Sequence, residues 1–320
     1  MATFSLLLML IAGVPGVPVQ ASAGESAWDL TTPTGVLSGT LLLPSASGKV
    51  PVVLIVAGSG PTDRDGNSAM LPGKNNAYKL LAEALRAGGI ASVRYDKRGI
   101  GASAGAATRE ADLRFETFVG DAAAWIQKVR ADARFSTITV AGHSEGSLIG
   151  MLAAASAGAD AFVSISGPAR NATAIIREQL RPLPPDAWQQ SERILALLEA
   201  GTLAGDVPTT SPFPQLYRAS VQPYLISWFK YTPSAEIAKL TIPILILQGT
   251  TDMQVTRAEA DALHAAAPRS TVRIVDGMNH VMKRVTDPGA QMASYIDPTL
   301  PVVADVPQAI TTFVGGVRAR

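Results

Sequence analysis

The segment spanning residues 137–147 constrains this chain more than any other, because it reads as a strand, a tight turn and a helix in direct succession. β-Branched residues lead into the pentapeptide Gly-His-Ser-Glu-Gly, and a helix-forming run begins near Ser147. The glycines Gly142 and Gly146 let the strand and helix backbones approach each other. A serine at the tip of such a turn is strained with its hydroxyl exposed, so Ser144 is a predicted nucleophile. The alternative is a glycine–serine turn that only joins the two elements.

The composition excludes several kinds of chemistry. The chain has 320 residues and no cysteine, which excludes disulfides, thiolate catalysis and cysteine zinc sites. Its three histidines, at positions 143, 264 and 280, are too few to favour a histidine-based metal site. The net charge is +1 with both signs interspersed, so nucleic-acid binding is not expected. The length suits one large domain or two small ones.

Residues 1–23 are predicted to form a secretory signal peptide. An uncharged apolar run covers residues 4–14, and Ala21-Ser22-Ala23 matches an A-x-A cleavage site. The run is too short to span a bilayer as a mature helix. No Lys or Arg precedes it, so a mis-assigned start or an uncleaved anchor is the alternative. We expect export to the periplasm or the medium, without stable membrane insertion after cleavage.

From residue 24 onwards, strand and helix patterns alternate, which predicts an α/β fold with a mostly parallel twisted sheet flanked by helices. Strands are predicted at 35–43, 50–56, 91–95, 138–141, 161–166, 244–248 and 271–275, and helices at 75–87, 115–130, 147–157, 258–267 and 306–317. Between 168 and 240 prolines cluster, and helical segments at 175–180, 187–200 and 217–231 follow one another without strands. We interpret this region as a helical cap inserted after the sixth strand, between core parts 24–167 and 241–320.

The cap is expected to cover Ser144, because insertions in such a sheet lie at the ends of strands where ligands bind. It is rich in aromatic residues for a chain in which 6% of residues are aromatic. Most of these side chains are expected to pack the cap onto the core. A few are expected to line an acyl pocket.

A serine hydroxyl needs a base to take its proton, and His280 is the predicted base. It follows the predicted strand 271–275, which brings it to the same edge of the sheet as Ser144. His264 lies in a predicted helix rich in alanine and charge, and His143 is too close to the nucleophile to turn back on it. Both are therefore poorer candidates.

The predicted acid is Asp252, which comes just after the buried strand 244–247. A carboxylate here would fix the tautomer of His280 and stabilise the imidazolium. Asp276 is the rival, although its closeness to His280 in sequence makes the geometry harder. The oxyanion hole is expected to use the backbone amide of Glu145 and an amide of residues 57–61, with Ser59 first and Gly60 second.

Two longer segments carry a family resemblance. Residues 58–67 read Gly-Ser-Gly-Pro-Thr-Asp-Arg-Asp-Gly-Asn, and residues 95–103 contain the pattern D-x-R-G-x-G-x-S. With the serine turn and the order Ser, Asp, His, the chain resembles α/β-hydrolase-fold serine hydrolases, in particular the EstD-like bacterial carboxylesterases of the serine aminopeptidase-like group. The resemblance implies hydrolysis of small-molecule esters with short acyl chains, no cofactor and a cap over the site. The charged residues of both segments, such as Arg64 and Asp96, are interpreted as loop staples.

Other activities remain possible at this point. A peptidase or thioesterase would use the same triad. An aminopeptidase needs carboxylates in the cap to hold the substrate amine, whereas the cap carboxylates here are spread along amphipathic segments, which favours an ester. Glu145 is the other candidate contact for an amine. A non-catalytic binding protein of the same fold would usually lack a triad residue, and none is missing here.

Overall fold

The computed structural model describes residues 24–205, 207–210 and 212–319, so the predicted signal peptide lies outside the described residues. The strands in chain order are β1 (Glu25–Ala27), β2 (Leu30–Thr32), β3 (Gly35–Leu37), β4 (Gly39–Leu42), β5 (Val50–Val56), β6 (Ala91–Tyr95), β7 (Phe135–His143), β8 (Ala161–Ile165), β9 (Ile244–Gly249) and β10 (Thr271–Val275). The helices are α1 (Ala77–Ala87), α2 (Phe115–Arg130), α3 (Glu145–Ala157), α4 (Ala172–Leu180), α5 (Pro185–Glu199), α6 (Phe213–Tyr217), α7 (Gln222–Trp228), α8 (Pro233–Ile237), α9 (Arg257–Ala266), α10 (Gln291–Ser294) and α11 (Asp305–Gly315).

Eight strands form one sheet in the order β1-β4-β6-β5-β7-β8-β9-β10. The six strands from β6 to β10 pair in parallel, and β1 and β4 complete one edge in antiparallel register. Strands β2 and β3 form a separate hairpin. Parallel strands buried on both faces are continuous apolar runs, which is why β5 and β9 were recognisable in the sequence.

The sheet separates two apolar clusters. Along β5, Val52, Leu54 and Val56 face the cluster that contains α2 and α3. Val53 and Ile55 face the opposite cluster, which contains α1 and α11. This alternation follows from the two-residue period of a strand. Because the six strands run in parallel, their carboxyl ends share one edge of the sheet, where the predicted site residues lie.

Two predicted elements are each divided in the structure. The predicted strand 35–43 is β3 and β4, because β3 pairs with β2 whereas β4 pairs with β1 and β6. The predicted helix 217–231 is divided after its first residue: α6 ends at Tyr217, the backbone of Arg218 is extended, and the helix resumes as α7, which has Pro223 in its first turn and ends at Trp228.

The helices α4 to α8 follow β8, which is the sixth strand of the main sheet in chain order. These helices, the predicted cap, pack through α7 on α2 and through α8 on α3 and α9. Three of its aromatic side chains, Tyr224, Trp228 and Tyr231, gather around Phe115 of α2, where the ring of Trp228 stacks at a centroid distance of 6.0 Å. Among the described helices, none combines the length and apolarity needed to cross a bilayer.

Candidate active site

Ser144 lies at the sharp turn between β7 and α3. Its backbone has φ 56° and ψ −124°, a conformation that a residue with a side chain adopts only under strain. A Cβ on Gly146 would come within 2.5 Å of the carbonyl oxygen of Ala57, and one on Gly142 would overlap the carbonyl of Gly146. Close packing of strand against helix thus requires both glycines, as the sequence indicated.

His280 and Asp252 form a hydrogen-bonded pair at the same edge of the sheet. His280 Nδ1 lies 2.9 Å from Asp252 Oδ2, and Asp252 Oδ1 accepts the amides of Gln254 and Val255 at 2.9 Å and 3.0 Å. Burial alone would raise the pKa of Asp252, but the charge and hydrogen bond of His280 and these amides hold it below its ordinary value. Asp252 is therefore ionised and can orient the imidazole.

The two rival residues lie elsewhere. His264 on α9 bonds the hydroxyl of Ser270 through Nδ1 at 2.8 Å. Asp276 has a side chain that is 91% exposed and takes a weak 3.3 Å hydrogen bond from Thr250. Neither lines either of the two cavities that Ser144 borders.

Residues 57–61, which we call the oxyanion loop, lie directly against Ser144. A Cβ on Gly58 would be 3.2 Å from the Cβ of Ser144. The amide of Gly58 donates to the hydroxyl oxygen of Tyr78 at 3.1 Å, and its carbonyl accepts from Lys97 Nζ at 2.5 Å. In the part of the chain that the structure describes, the amides of Ser59 and Glu145 have no protein acceptor. Both sequence-predicted donors can therefore serve a bound anion.

His143 connects the oxyanion loop to His280, a role that sequence reasoning missed. Its Nε2 lies 2.7 Å from the carbonyl oxygen of His280 and must donate, so Nδ1 accepts from the hydroxyl of Tyr78 at 2.7 Å. Burial, assisted by the neighbouring His280, lowers the pKa of His143 to about 3. The imidazole is thus neutral and structural at ordinary pH. The available signal was its place inside the turn, where a polar side chain needs a partner.

Two further charged side chains, Glu145 and Lys97, are buried in the same region. Glu145 accepts a hydrogen bond from Tyr224 of the cap. Burial raises the pKa of Glu145, and the nearby Lys97 opposes that shift. Burial lowers the pKa of Lys97 in turn. The contact to Tyr224 gives the Glu145 carboxylate a protein partner on the cap.

The charged residues interpreted as staples form largely buried ion pairs: Arg64 with Asp96 at 2.7 Å, Arg94 with Asp65 at 3.0 Å and Arg98 with Asp121 at 2.5 Å. In addition, Asp63 accepts the amides of Asp65 and Asn67, both at 2.9 Å. The Asp63 contacts close a turn at residues 63–67, directly after the oxyanion loop. Within the described ranges, no group of three or more His, Asp or Glu side chains could hold a metal ion.

Ser144 borders two cavities of very different size. The large cavity, of about 610 Å³, lies between the oxyanion loop and the segment after β10, and includes His280 and apolar residues such as Met70, Leu71 and Met282. The small cavity, of about 30 Å³, lies on the other side of Ser144 and includes Ile175, Ile176 and Trp228 of the cap. Among the described aromatic residues of the predicted cap, Trp228 alone lies in the walls of these two cavities. The large cavity is thus formed without the cap.

The chain matches the model of the alpha/beta hydrolase family over residues 24–294. It therefore belongs to the α/β hydrolase family, which confirms the predicted fold and family. The curated esterase EstD from Thermotoga maritima is 28% identical over 250 residues. These residues are 77% of this chain and 58% of EstD, so the chain spans less than two thirds of that relative's length.

Solved structures of esterases have the same fold. The esterase PF2001 from Pyrococcus furiosus aligns with a TM-score of 0.60 at 16% identity, over 97% of this chain and 99% of that one. Est1E from Butyrivibrio proteoclasticus aligns with a TM-score of 0.57 at 17% identity, over 90% of this chain and 99% of that one. At these identities the likeness concerns the fold.

Proposed function

We propose that this chain is a carboxylesterase-type serine hydrolase that cleaves short-chain carboxylic esters through an acyl-serine intermediate. The observation that carries the proposal is the hydrogen-bonded pair of His280 and Asp252 beside the cavity that contains Ser144 on its strained turn. The similarity to EstD supports an ester as the substrate.

In this mechanism the Ser144 hydroxyl oxygen attacks the ester carbonyl carbon while His280 Nε2 takes its proton. The carbonyl oxygen becomes an oxyanion, which accepts hydrogen bonds from the amides of Ser59 and Glu145. Collapse of this intermediate expels the alcohol, which receives the proton from His280. Water then repeats the two steps on the acyl-serine and releases the acid. Asp252 holds the Nδ1–H throughout.

The two cavities suggest how an ester is oriented. His280 must protonate the leaving alcohol, and His280 borders the large cavity but not the small one. The alcohol therefore occupies the large cavity, and the acyl group points into the small cavity. The small cavity, of about 30 Å³, is far smaller than the large one, of about 610 Å³. This supports an acyl group of a few carbon atoms.

The cap carboxylates argue against an aminopeptidase. Glu178 pairs with Arg170 at 2.6 Å, and Glu199 pairs with Arg177 at 2.5 Å. Neither carboxylate lies in the walls of the two cavities. A substrate amine would therefore have to compete with an arginine for each of them.

The test compares the native protein with Ser144→Ala and with Ser156→Ala, an exposed serine on the same helix. The substrates are p-nitrophenyl esters from acetate to palmitate. We expect kcat/KM to peak at acetate or butyrate, and to fall by about 10⁴-fold or more in Ser144→Ala alone.

Two results would contradict the proposal. The first is ester hydrolysis retained by Ser144→Ala. The second is folded native protein that neither hydrolyses any ester nor reacts with a fluorophosphonate. The second result would favour a non-catalytic protein that binds a small ligand or a partner, whereas labelling without ester turnover would direct the search to thioesters and peptides.

A further inference from the structure

Lys97 is a buried lysine that contacts the back of the oxyanion loop. It follows β6 and is 5% exposed. Its Nζ donates a 2.5 Å hydrogen bond to the carbonyl oxygen of Gly58 and lies 5.8 Å from the centre of the Phe118 ring. Burying a charged amine is costly. A methionine would fill similar space without that cost, so packing alone does not account for the lysine.

The Gly58 carbonyl belongs to the same peptide unit as the amide of Ser59. In a trans peptide the C=O and N–H bonds point in opposite directions, and the unit is planar. A side chain that fixes the carbonyl oxygen therefore also fixes the direction of the amide. Lys97 holds the carbonyl end of this unit, and the Ser59 amide is its other end.

The preceding peptide unit is fixed as well. The amide of Gly58 donates to Tyr78, whose hydroxyl donates to His143. Both polar backbone groups of Gly58 are thus engaged by buried side chains, next to Ser144. The amide of Ser59 is the next one along the loop, and it is free to donate a hydrogen bond to a ligand.

We propose that Lys97 is a positioning residue, which aims the Ser59 amide at the oxyanion of the tetrahedral intermediate by holding the Gly58 carbonyl. The inference rests on the proposed ester hydrolysis. An amine that donates to the carbonyl oxygen also polarises the peptide, which strengthens its N–H as a donor. Such donors lower the barrier when their direction is set before the charge develops.

The experiment compares Lys97→Met, which keeps the volume and removes the donor, with Lys97→Arg, which keeps a donor. Loss of one oxyanion donor lowers kcat about 10²–10³-fold. Because Lys97 acts through the peptide, we expect a fall of about 10–100-fold in kcat on p-nitrophenyl acetate for Lys97→Met, with KM changed less than about threefold. We expect Lys97→Arg to recover part of kcat.

A pair of inhibitors separates positioning from mere support of the fold. An aryl trifluoromethyl ketone adds to the serine and places an oxyanion in the hole, whereas the matching methyl ketone stays largely unadded. We expect Lys97→Met to weaken the binding of the trifluoromethyl ketone by the same factor by which it lowers kcat. The binding of the methyl ketone should stay unchanged. A purely structural role would affect both inhibitors alike.

Lys283→Met is the matched control, because Lys283 is also fully buried and donates to a backbone carbonyl, that of Leu300. This variant should lose stability, but its kcat and the ratio of its two inhibition constants should equal those of the native protein. If Lys97→Met does not fold, Lys97→Gln is measured in the same way. The role of Lys97 is overturned if the native protein is active and a folded Lys97 variant keeps the same kcat and the same ratio of the two inhibition constants. Native protein without turnover or labelling overturns the proposed function, and this inference with it.

Discussion

The two sides of Ser144 are built in different ways. On the loop side, the oxyanion loop is held by hydrogen bonds between buried side chains, such as Lys97 and Tyr78, and single backbone atoms. On the cap side, aromatic rings pack around Phe115 and leave a cavity of about 30 Å³. Directional contacts fix the angle of a backbone donor, whereas packing fixes a volume. The loop side is therefore suited to control the rate, and the cap side to control which acyl group enters.

The largest effect that this comparison predicts concerns neither side, because Asp252 belongs to the proposed triad itself. Asp252→Asn keeps the shape but favours the wrong tautomer of His280. In a serine protease triad the same change costs about 10⁴-fold in kcat. We expect a loss of similar size, equal for acetate and butyrate esters. Asp276→Asn is the control and should retain activity. A loss that depended on the acyl group would mean that Asp252 shapes the acyl site.

A smaller effect is expected on the loop side, from His143. In the folded protein this ring takes up its second proton only near its pKa of about 3, whereas in the unfolded chain it does so below pH 6.5. Stability should therefore fall as the pH is lowered from 6.5 towards 3, by up to about 1.4 kcal/mol per pH unit from this group. His143→Gln removes this contribution, so its denaturation free energy should fall less steeply between pH 6 and pH 4.

The comparison of the two proteins isolates His143, because the shifted carboxyl groups of Asp252 and Glu145 are present in both. His264→Gln replaces a partly exposed histidine on α9 and serves as the control substitution. Equal slopes for native protein and His143→Gln in urea titrations would show that the ring is not kept neutral by burial.

The smallest effect is expected on the cap side. Ile175→Ala enlarges the small cavity, and one methylene in an apolar pocket changes specificity by about 10–200-fold. We expect the butyrate-to-acetate ratio of kcat/KM to rise about tenfold, at the lower end of that range. Met70→Ala, in the large cavity, should change the dependence on the alcohol and leave the acyl ratio alone. If Met70→Ala changed the acyl ratio and Ile175→Ala changed the dependence on the alcohol, the assignment of the two subsites would be the reverse of the one proposed.

The sequence predicted the fold and the identities of the proposed triad residues because local patterns encode them. Ser144 lies in a turn that needs glycines at two fixed positions, and Asp252 and His280 each follow an apolar strand. The break between α6 and α7 was harder to see, since the apolar spacing continues across it. Export with cleavage after Ala23 stays a prediction, for which the N-terminal residue of the secreted protein is the check.

The contacts that escaped prediction join residues far apart in the chain. Lys97 meets Gly58 across 39 positions, and His143 meets Tyr78 across 65. Periodicity reports that a side chain is buried, but not which backbone atom it meets. For the same reason the cap aromatics were recognisable as buried, although their packing on Phe115 rather than around the large cavity was not.

Three consecutive residues of the serine turn have three separate destinations. Ser144 faces the cavities, His143 reaches back to Tyr78 and His280, and Glu145 reaches up to Tyr224 of the cap. The pentapeptide therefore depends on contacts to residues elsewhere in the chain. An engineer who grafts it onto another hydrolase would need to carry both tyrosines with it, and a library that randomises the cap should leave Tyr224 fixed.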